Sequence, residues 1–220
     1  MNLKTFGKCL WLVLAVATPS AAGWARGPSE NGYEVEVRVS VFNDAQISEG
    51  RVAGAERVAG ELFAHAGIHI EWMNCGRAAE TTEEHVMCKE VRFPAHLEVR
   101  LRERSLNLSE STLGLSYLGE DGIGSYADLF YVGIAPIEQE VQLSAGTILG
   151  LAMAHEVGHL LLGSNSHSSS GIMRARWQRQ ELLAAGKGKL GFSKAEARKM
   201  QNRLERARVP RESSGLSRSR

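Results

Sequence analysis

The stretch that decides the fold of this chain is AHEVGHLLLG at residues 154–163, followed by SNSH at 164–167 and GIM at 171–173. It contains two histidines four residues apart, with a glutamate directly after the first, which is the pattern H-E-x-x-H. On an α-helix, residues four apart share one face, so His155 and His159 point at the same place, where a zinc ion can bind. Glu156 is rotated off that line and can act as a general base on a water that the metal activates.

The helix that carries these residues is predicted to be buried. Ser144 is a suitable N-cap, and Gly163 is a suitable left-handed residue after the last turn. The apolar residues between them lie nearly all round the helix: Ile148, Leu149, Leu151, Ala152, Met153, Leu160, Leu161 and Leu162. Burying two imidazoles and a carboxylate without partners is costly, and a metal offsets that cost. We therefore predict a functional zinc site, and the same polar residues argue against a transmembrane helix.

A catalytic zinc ion needs a third protein ligand and an open fourth position. His167 is the nearest candidate, because Gly163 lets the chain turn back towards the metal. The downstream carboxylates Glu181 and Glu196 are the alternatives. The other histidines show no ligand spacing and are predicted to lie at the surface or at an edge: His65, His69, His85 and His96.

The length and composition of the chain indicate one globular domain. It has 220 residues, of which 43% are hydrophobic, and this suits a substantial core and argues against global disorder. The formal net charge is +1, so no strong field points to nucleic acid or a membrane surface as a partner. We expect a monomer whose partner is a peptide or protein substrate.

Residues 1–22 have the features of a secretory signal peptide. Lys4 and Lys8 supply positive charge, residues 10–17 are apolar, and small residues at 19–22 suit cleavage after Ala22. The apolar run is shorter than the roughly 20 residues that span a bilayer. We expect a mature protein that is secreted or periplasmic and has no stable membrane association.

Two cysteines remain after such a cleavage, Cys75 and Cys88. An even pair in an exported chain indicates a disulfide, which contributes about 3 kcal/mol on the chain-entropy model. The alternative is two unpaired buried thiols. A cysteine zinc site is not expected, because neither residue lies in a C-x-x-C.

Hydrophobic periodicity predicts an α+β fold. Apolar residues alternate from Tyr33 to Val41 and again at 68–72, which indicates two strands with one buried face. Between them, apolar residues recur at helical spacing over 52–66, and Gly67 is placed to end that helix. A helix between two strands favours a right-handed crossover with the strands parallel. The remaining predictions are strands at 97–101, 113–118 and 127–134, an irregular segment at 74–92, a short helix within 174–185, a capped helix at 193–208 and a disordered basic tail at 209–220.

Residues 155–173 resemble the metzincin clan of zinc endopeptidases, whose signature H-E-x-x-H-x-x-G-x-x-H precedes a tight turn with a methionine beneath the metal. The HS at 167–168 is similar to the matrix metalloproteinase form, and the H-E-x-G-H-L-L-L-G core also resembles a group of uncharacterised secreted bacterial proteins. The resemblance implies a zincin-like fold: a twisted, mostly parallel sheet of four to five strands with an antiparallel edge strand, packed on a backing helix and the active-site helix. It implies a single domain over 23–208, with an N-terminal subdomain at 33–163 and a small helical C-terminal subdomain at 164–208.

The same resemblance implies roles for individual residues: His155, His159 and His167 as zinc ligands, Glu156 as general base, Gly163 as pivot and Met173 as the methionine of the turn. Two spacings differ from the clan, since Gly163 follows His159 by four residues instead of three and His167 follows it by eight instead of six. One extra helical residue turns the exit by about 100°, so the loop must take a different path to the metal. Residue 175 is alanine, so a tyrosine fifth ligand is not expected, and Met173 is equally explained as a core residue.

The implied function is that of a secreted zinc-dependent endopeptidase. Glu156 would take a proton from the activated water and pass it to the leaving amine. The strand at 113–118 is the candidate to pair with an extended peptide, and Tyr117 and Tyr126 are candidates to stabilise the oxyanion. Two alternatives stay open, a zinc hydrolase acting on a non-peptide amide and an inactive metal-binding protein of protease ancestry.

Overall fold

The computed structural model describes residues 35–76, 83–105 and 107–208. The predicted signal peptide and the predicted basic tail therefore lie outside the described residues, as does the predicted start of the first strand at Tyr33.

The fold is α+β and is built on one five-stranded sheet with the order β2-β1-β3-β5-β4. All neighbouring strands are parallel except β4, which pairs antiparallel with β5 at one edge of the sheet. This arrangement confirms the predicted fold class. The strands are β1 (Val35–Asn43), β2 (Ile68–Cys75), β3 (His96–Arg102), β4 (Gly114–Tyr117) and β5 (Tyr126–Phe130).

Two long helices form the layer that covers one face of this sheet. The helices of the described residues are α1 (Glu49–His65), α2 (Glu83–Lys89), α3 (Ile134–Val141), α4 (Ala145–Leu162), α5 (Arg179–Ala185) and α6 (Lys194–Arg208), and a 3-10 turn (Tyr131–Gly133) directly precedes α3. Of these, α1 and α4 pack extensively against each other, and α4 also contacts β4, β5 and α6. The core between the helices and the sheet holds inward-facing side chains of β1, β2, β3 and β5.

The unit from β1 to β2 shows how the sequence pattern produces this layer. The side chains of Val35, Val37, Val39 and Val41 alternate along β1 and are all buried. The helix α1 ends as predicted before Gly67, whose φ of 73° suits glycine best. The register pairs Val35 with Ile68, so the predicted parallel crossover is confirmed.

Two of the predicted segments are wrong in part. The predicted strand at 127–134 ends at Phe130, and the chain then enters a 3-10 turn and the eight-residue helix α3. Pro136 lies in the first turn of α3, where its missing N–H has no intrahelical partner to lose. The segment at 74–92, predicted to be irregular, contains the end of β2 and the helix α2.

A disulfide joins Cys75, the last residue of β2, to Cys88 in α2. The two Cα atoms are 6.0 Å apart, and both residues are buried. The bond therefore fastens α2 to β2, the strand at the edge of the sheet opposite β4.

One of the histidines predicted to lie at the surface or at an edge is buried. His96 opens β3, and its Nε2 atom lies 2.6 Å from the hydroxyl of Ser40, which has no exposed surface. Burial lowers the pKa of His96 below its ordinary value. The prediction was wrong because the ring has a hydrogen-bond partner, Ser40, on the neighbouring parallel strand β1. The spacing of residues near His96 in the sequence does not indicate this contact.

The helix α4 is long and apolar enough to cross a membrane if only its length and composition are considered. However, 94% of it is buried within the protein, which is the environment of a core helix. Its two ends lie where the sequence placed them, because Ser144 caps the first turn and Gly163 follows the last.

Candidate metal centre and general base

The local sequence determines where α4, the helix that carries the site, begins and ends. The Ser144 hydroxyl accepts a hydrogen bond from the Thr147 N–H at 3.1 Å, which satisfies one of the free donors of the first turn. At the other end, Gly163 has a φ of 63°, and its N–H donates to the carbonyl of His159. This left-handed residue ends the helix four residues after His159.

The rings of His155 and His159 are both held by backbone carbonyls. The Nδ1 atom of His155 lies 2.8 Å from the carbonyl oxygen of Ile172, and that of His159 lies 2.7 Å from the carbonyl oxygen of Ser164. A carbonyl oxygen can only accept, so each Nδ1 carries the proton and donates it. In a neutral ring this leaves both Nε2 atoms as free acceptors, the state in which histidine binds a metal.

The two Nε2 atoms face each other at a distance of 3.0 Å. With both Nδ1 atoms protonated, neither Nε2 has a proton to share, so two lone pairs point at one another. A cation that binds both nitrogens removes this conflict. The donor set therefore fits a bound metal ion.

His167 completes the group from outside the helix. Its ring centroid lies 5.3 Å from that of His155 and 4.9 Å from that of His159. One ligand nitrogen from each of the three rings falls within 4.8 Å of the others. His155 and His159 are buried whereas His167 is exposed, so the group has one side open to solvent. Three nitrogens with an open position match the ligands of a catalytic zinc site.

Burial sets the protonation of His155 and His159, the two candidate ligands on the helix. It lowers the pKa of His155 to about 4 and also lowers the pKa of His159. In the metal-free protein, both imidazoles are therefore neutral at pH 7, and no proton has to leave before a metal binds.

Glu156 lies against the edge strand β4. Its side chain is buried, and one carboxylate oxygen lies 2.6 Å from the hydroxyl of Ser116. The same hydroxyl lies 2.8 Å from the backbone carbonyl of Glu156, so its single proton serves one of the two oxygens at a time. A Cβ atom at Gly114 would come within 2.5 Å of the Glu156 Cγ, so a larger residue there would displace this side chain.

Burial raises the pKa of Glu156 to about 7, although the hydrogen bond from Ser116 acts in the opposite direction. A carboxyl group with such a pKa exchanges its proton readily near neutral pH, as a general base and acid must. Sequence reasoning missed both Gly114 and Ser116. The only signal was two small residues alternating on a predicted edge strand, and their register with the helix depends on tertiary packing.

The two carboxylates that the sequence offered as alternative ligands have other partners. Glu181 accepts the N–H of Gln178, the N-cap residue of α5, at 2.8 Å. Glu196 accepts the N–H of Ser193 at 2.7 Å, which confirms the predicted capping box of α6. The group of potential ligands found among the described residues contains neither of them.

Met173 is fully buried beneath the helix. A Cβ atom at Gly158 would lie 2.7 Å from the Met173 sulfur, so the sulfur packs against the helix backbone between the two candidate ligand histidines. The preceding residue, Ile172, supplies the carbonyl that accepts from His155, and Trp177 Nε1 donates to the same oxygen at 3.0 Å.

Neither Tyr117 nor Tyr126 is placed to stabilise an oxyanion. Neighbouring residues of a strand face opposite sides, and Ser116 faces α4, so Tyr117 lies on the other face of the sheet. Both tyrosine hydroxyls donate to Asp128, which is buried and also bonded to Arg102. The sequence signal was only the presence of two hydroxyl groups near the edge strand.

Comparison with solved structures shows a shared fold. The chain is similar to metalloproteinase-II from Bacteroides fragilis, with a TM-score of 0.52 and 13% sequence identity, over 81% of this chain and 55% of that one. It thus spans about half the length of that protein. A zinc-dependent peptidase from Methanocorpusculum labreanum gives a TM-score of 0.48 and 14% identity, over 74% of this chain and 100% of that one. No protein-family model matches the chain, and no curated protein is significantly similar to it.

Proposed function

We propose that this protein is an exported zinc-dependent peptidase of the metzincin type. The observation that carries the proposal is the convergence of His155, His159 and His167 beside a buried glutamate and an edge strand. Met173 under the helix and Gly163 at its end support the metzincin type, and the fold shared with a metalloproteinase supports the peptidase class.

His155, His159 and His167 would hold the zinc ion, with two of the rings oriented by the carbonyls of Ile172 and Ser164. When bound, zinc supplies Lewis-acid activation of a water and of the scissile carbonyl. Glu156 accepts the proton of the attacking water and delivers it to the leaving nitrogen. Ser116 keeps the Glu156 carboxylate against the edge strand, where burial maintains its raised pKa.

The substrate class follows from the strand that adjoins Glu156. In the described sheet, β4 pairs with β5 alone, so its other edge has backbone groups free to pair. An extended peptide that adds to this edge lies beside Gly114 and Ser116, the residues in contact with the base. Leu115 and Tyr117 are 37% and 46% exposed on the opposite face of the same strand.

Export of the protein remains a proposal that rests on the features of residues 1–22. The disulfide between Cys75 and Cys88 supports it, because such bonds persist in the periplasm and outside the cell.

The test is hydrolysis of unfolded casein by the purified protein, with and without a zinc chelator. We expect cleavage that the chelator abolishes and that added zinc restores. A protein that binds zinc and cleaves a small acyl amide but no polypeptide would instead be a hydrolase of non-peptide amides. A protein that binds zinc and cleaves neither would be an inactive relative of proteases.

A further inference from the structure

We propose that Glu196, which caps α6, is also a positioning residue for the third histidine, because its second carboxylate oxygen binds Ser168, the residue after His167. The inference deepens the proposed function and rests on its metal site. The C-terminal helices then contribute to metal affinity, in addition to the contribution of their capping residues to helix stability.

The contact between Glu196 and Ser168 joins two distant parts of the chain. The Ser168 hydroxyl donates to Glu196 Oε1 at 2.5 Å, while Glu196 Oε2 accepts the N–H of Ser193 at 2.7 Å. A capping box needs only one of the two carboxylate oxygens. The other is therefore available to hold the loop, and hydrogen bonds to an ionised group are stronger than neutral ones.

A second capping glutamate holds the other end of the same loop. Glu181 Oε2 accepts the N–H of Gln178 at the start of α5 and also lies 3.2 Å from the guanidinium of Arg174. Arg174 directly follows Met173. Each of the two C-terminal helices thus uses its capping carboxylate to bind one end of the segment 168–174.

A backbone hydrogen bond also joins the two ends of the segment 168–174. The Ser168 N–H donates to the carbonyl of Met173 at 2.8 Å, so both ends of the segment lie side by side. The Ile172 N–H donates to the carbonyl of Gly191 at 3.0 Å, and the Ile172 carbonyl accepts from His155. Fixing Ser168 therefore fixes both the approach of His167 and the carbonyl that orients His155.

His167 needs such support more than the two helical ligands do. It is exposed, and it lies eight residues after His159 with no helical geometry to hold it. Removal of an outer partner of a metal ligand typically costs about 10- to 100-fold in metal affinity. The Ser168 hydroxyl acts on His167 through the loop, so we expect a loss near the lower end of this range, about tenfold, when it is removed.

The experiment measures the zinc dissociation constant of the purified protein by competition with a chromophoric chelator. Ser168→Ala removes the loop contact, and Ser168→Thr retains a hydroxyl. Ser193→Ala is the matched control, because it removes the hydrogen bond from the Glu196 N–H to the Ser193 hydroxyl but leaves Ser168 intact. The visible spectrum of the cobalt-substituted protein reports separately on ligand geometry.

We expect Ser168→Ala to weaken zinc binding about tenfold or more and to alter the cobalt spectrum, and Ser168→Thr to restore both. Ser193→Ala should change the affinity less than about twofold while lowering the melting temperature as any lost cap does. The proposal is overturned if Ser168→Ala binds zinc like the parent protein, or if Ser193→Ala weakens binding equally. Failure of the parent protein to bind zinc would instead contradict the proposed function.

Discussion

The helix α4 and the loop at 164–174 contribute to the same group of histidines in different ways. The helix supplies His155 and His159 on one buried face, and its own hydrogen bonds fix their spacing. The loop supplies His167, which is exposed, and the next residue, Ser168, binds Glu196 of α6 and Met173 at the far end of the loop. The spacing of two candidate ligands is thus set by local geometry, and the position of the third is set by tertiary structure.

Mutations in the two regions should therefore have different effects. A change at Glu156 on the helix should affect the chemistry, while changes in the loop should affect metal affinity first. The predictions below test that division, beginning with the largest effect.

Replacement of Glu156 by glutamine should leave the metal centre intact and remove the general base. We expect casein hydrolysis to fall by about 10²- to 10⁴-fold, the range for loss of a positioned acid or base. Zinc affinity, measured by chelator competition, should stay within about twofold because Glu156 contacts Ser116 and not the ligand rings. Retained hydrolysis would show that another group removes the proton.

Replacement of His167 by alanine should act on the metal instead. We expect zinc affinity to fall by more than about 100-fold, the upper end of the range for outer partners, because a ligand itself is lost. His65→Ala is a matched control, since His65 is exposed at the end of α1. Unchanged zinc content in His167→Ala would contradict the assignment of the third ligand.

Replacement of Gly163 by alanine tests the junction between the two regions. The left-handed φ of 63° is strained for alanine, and the added Cβ atom would meet the guanidinium of Arg203. We expect a loss of stability of about 1 to 3 kcal/mol, measured by denaturant unfolding, together with weaker zinc binding.

Gly188→Ala provides the control for that variant. Gly188 has a similar φ of 66°, but a Cβ atom there would meet nothing within 4 Å. It should therefore show the backbone penalty alone, with zinc affinity unchanged. Equal losses of zinc affinity in the two variants would mean that Gly163 has no specific role in directing the loop.

The smallest effect concerns the pH dependence of the metal-free protein. The folded pKa of His155 is about 4, below its ordinary value, so the stability from its neutral form is present above pH 6.5 and lost as the pH falls through 4. The folded pKa of Glu156 is about 7, above its ordinary value, so its contribution is present below pH 4.5 and lost as the pH rises through 7. The contributions of His155 and Glu156 to the free energy of unfolding are each about 3 kcal/mol over the full titration. They have opposite signs of pH dependence in the interval where both groups titrate.

Between pH 5 and 7 the stability of the metal-free parent protein should therefore change less with pH than that of Glu156→Gln, in which the lowered pKa values of His155 and His159 act without this opposition. Glu156→Gln removes one of the opposing groups, so its melting temperature should fall by several degrees on acidification over the same interval. Calorimetry in the presence of a chelator measures both profiles. Identical profiles for the two proteins would contradict the opposed burial of His155 and Glu156.

The sequence predicted the parts of the site and fold that depend on short-range periodicity. The alternation at 35–41, the apolar helix around His155 and the capping residues Ser144 and Gly163 all have a local cause, and the structure has them as expected. The helix α3 was missed because its eight residues are too few for a clear period and follow a buried strand directly.

What the sequence could not supply was the register between distant elements. Ser116 lies 40 residues before Glu156, and their contact depends on how β4 lies across α4. The same holds for Glu196, whose capping pattern was visible at once but whose bond to Ser168 spans 28 residues. His167 could be proposed from its position after Gly163, whereas its approach to the other rings follows from these tertiary contacts.

X-ray absorption spectroscopy at the zinc edge tests the central claim most directly, because it counts and identifies the atoms around the metal. We predict that the purified, zinc-loaded protein shows three imidazole nitrogens at about 2.0 to 2.1 Å with one further light ligand. A spectrum with two imidazoles and a carboxylate in the third protein position, or one with sulfur ligands, would contradict the assignment of His155, His159 and His167 as the metal centre.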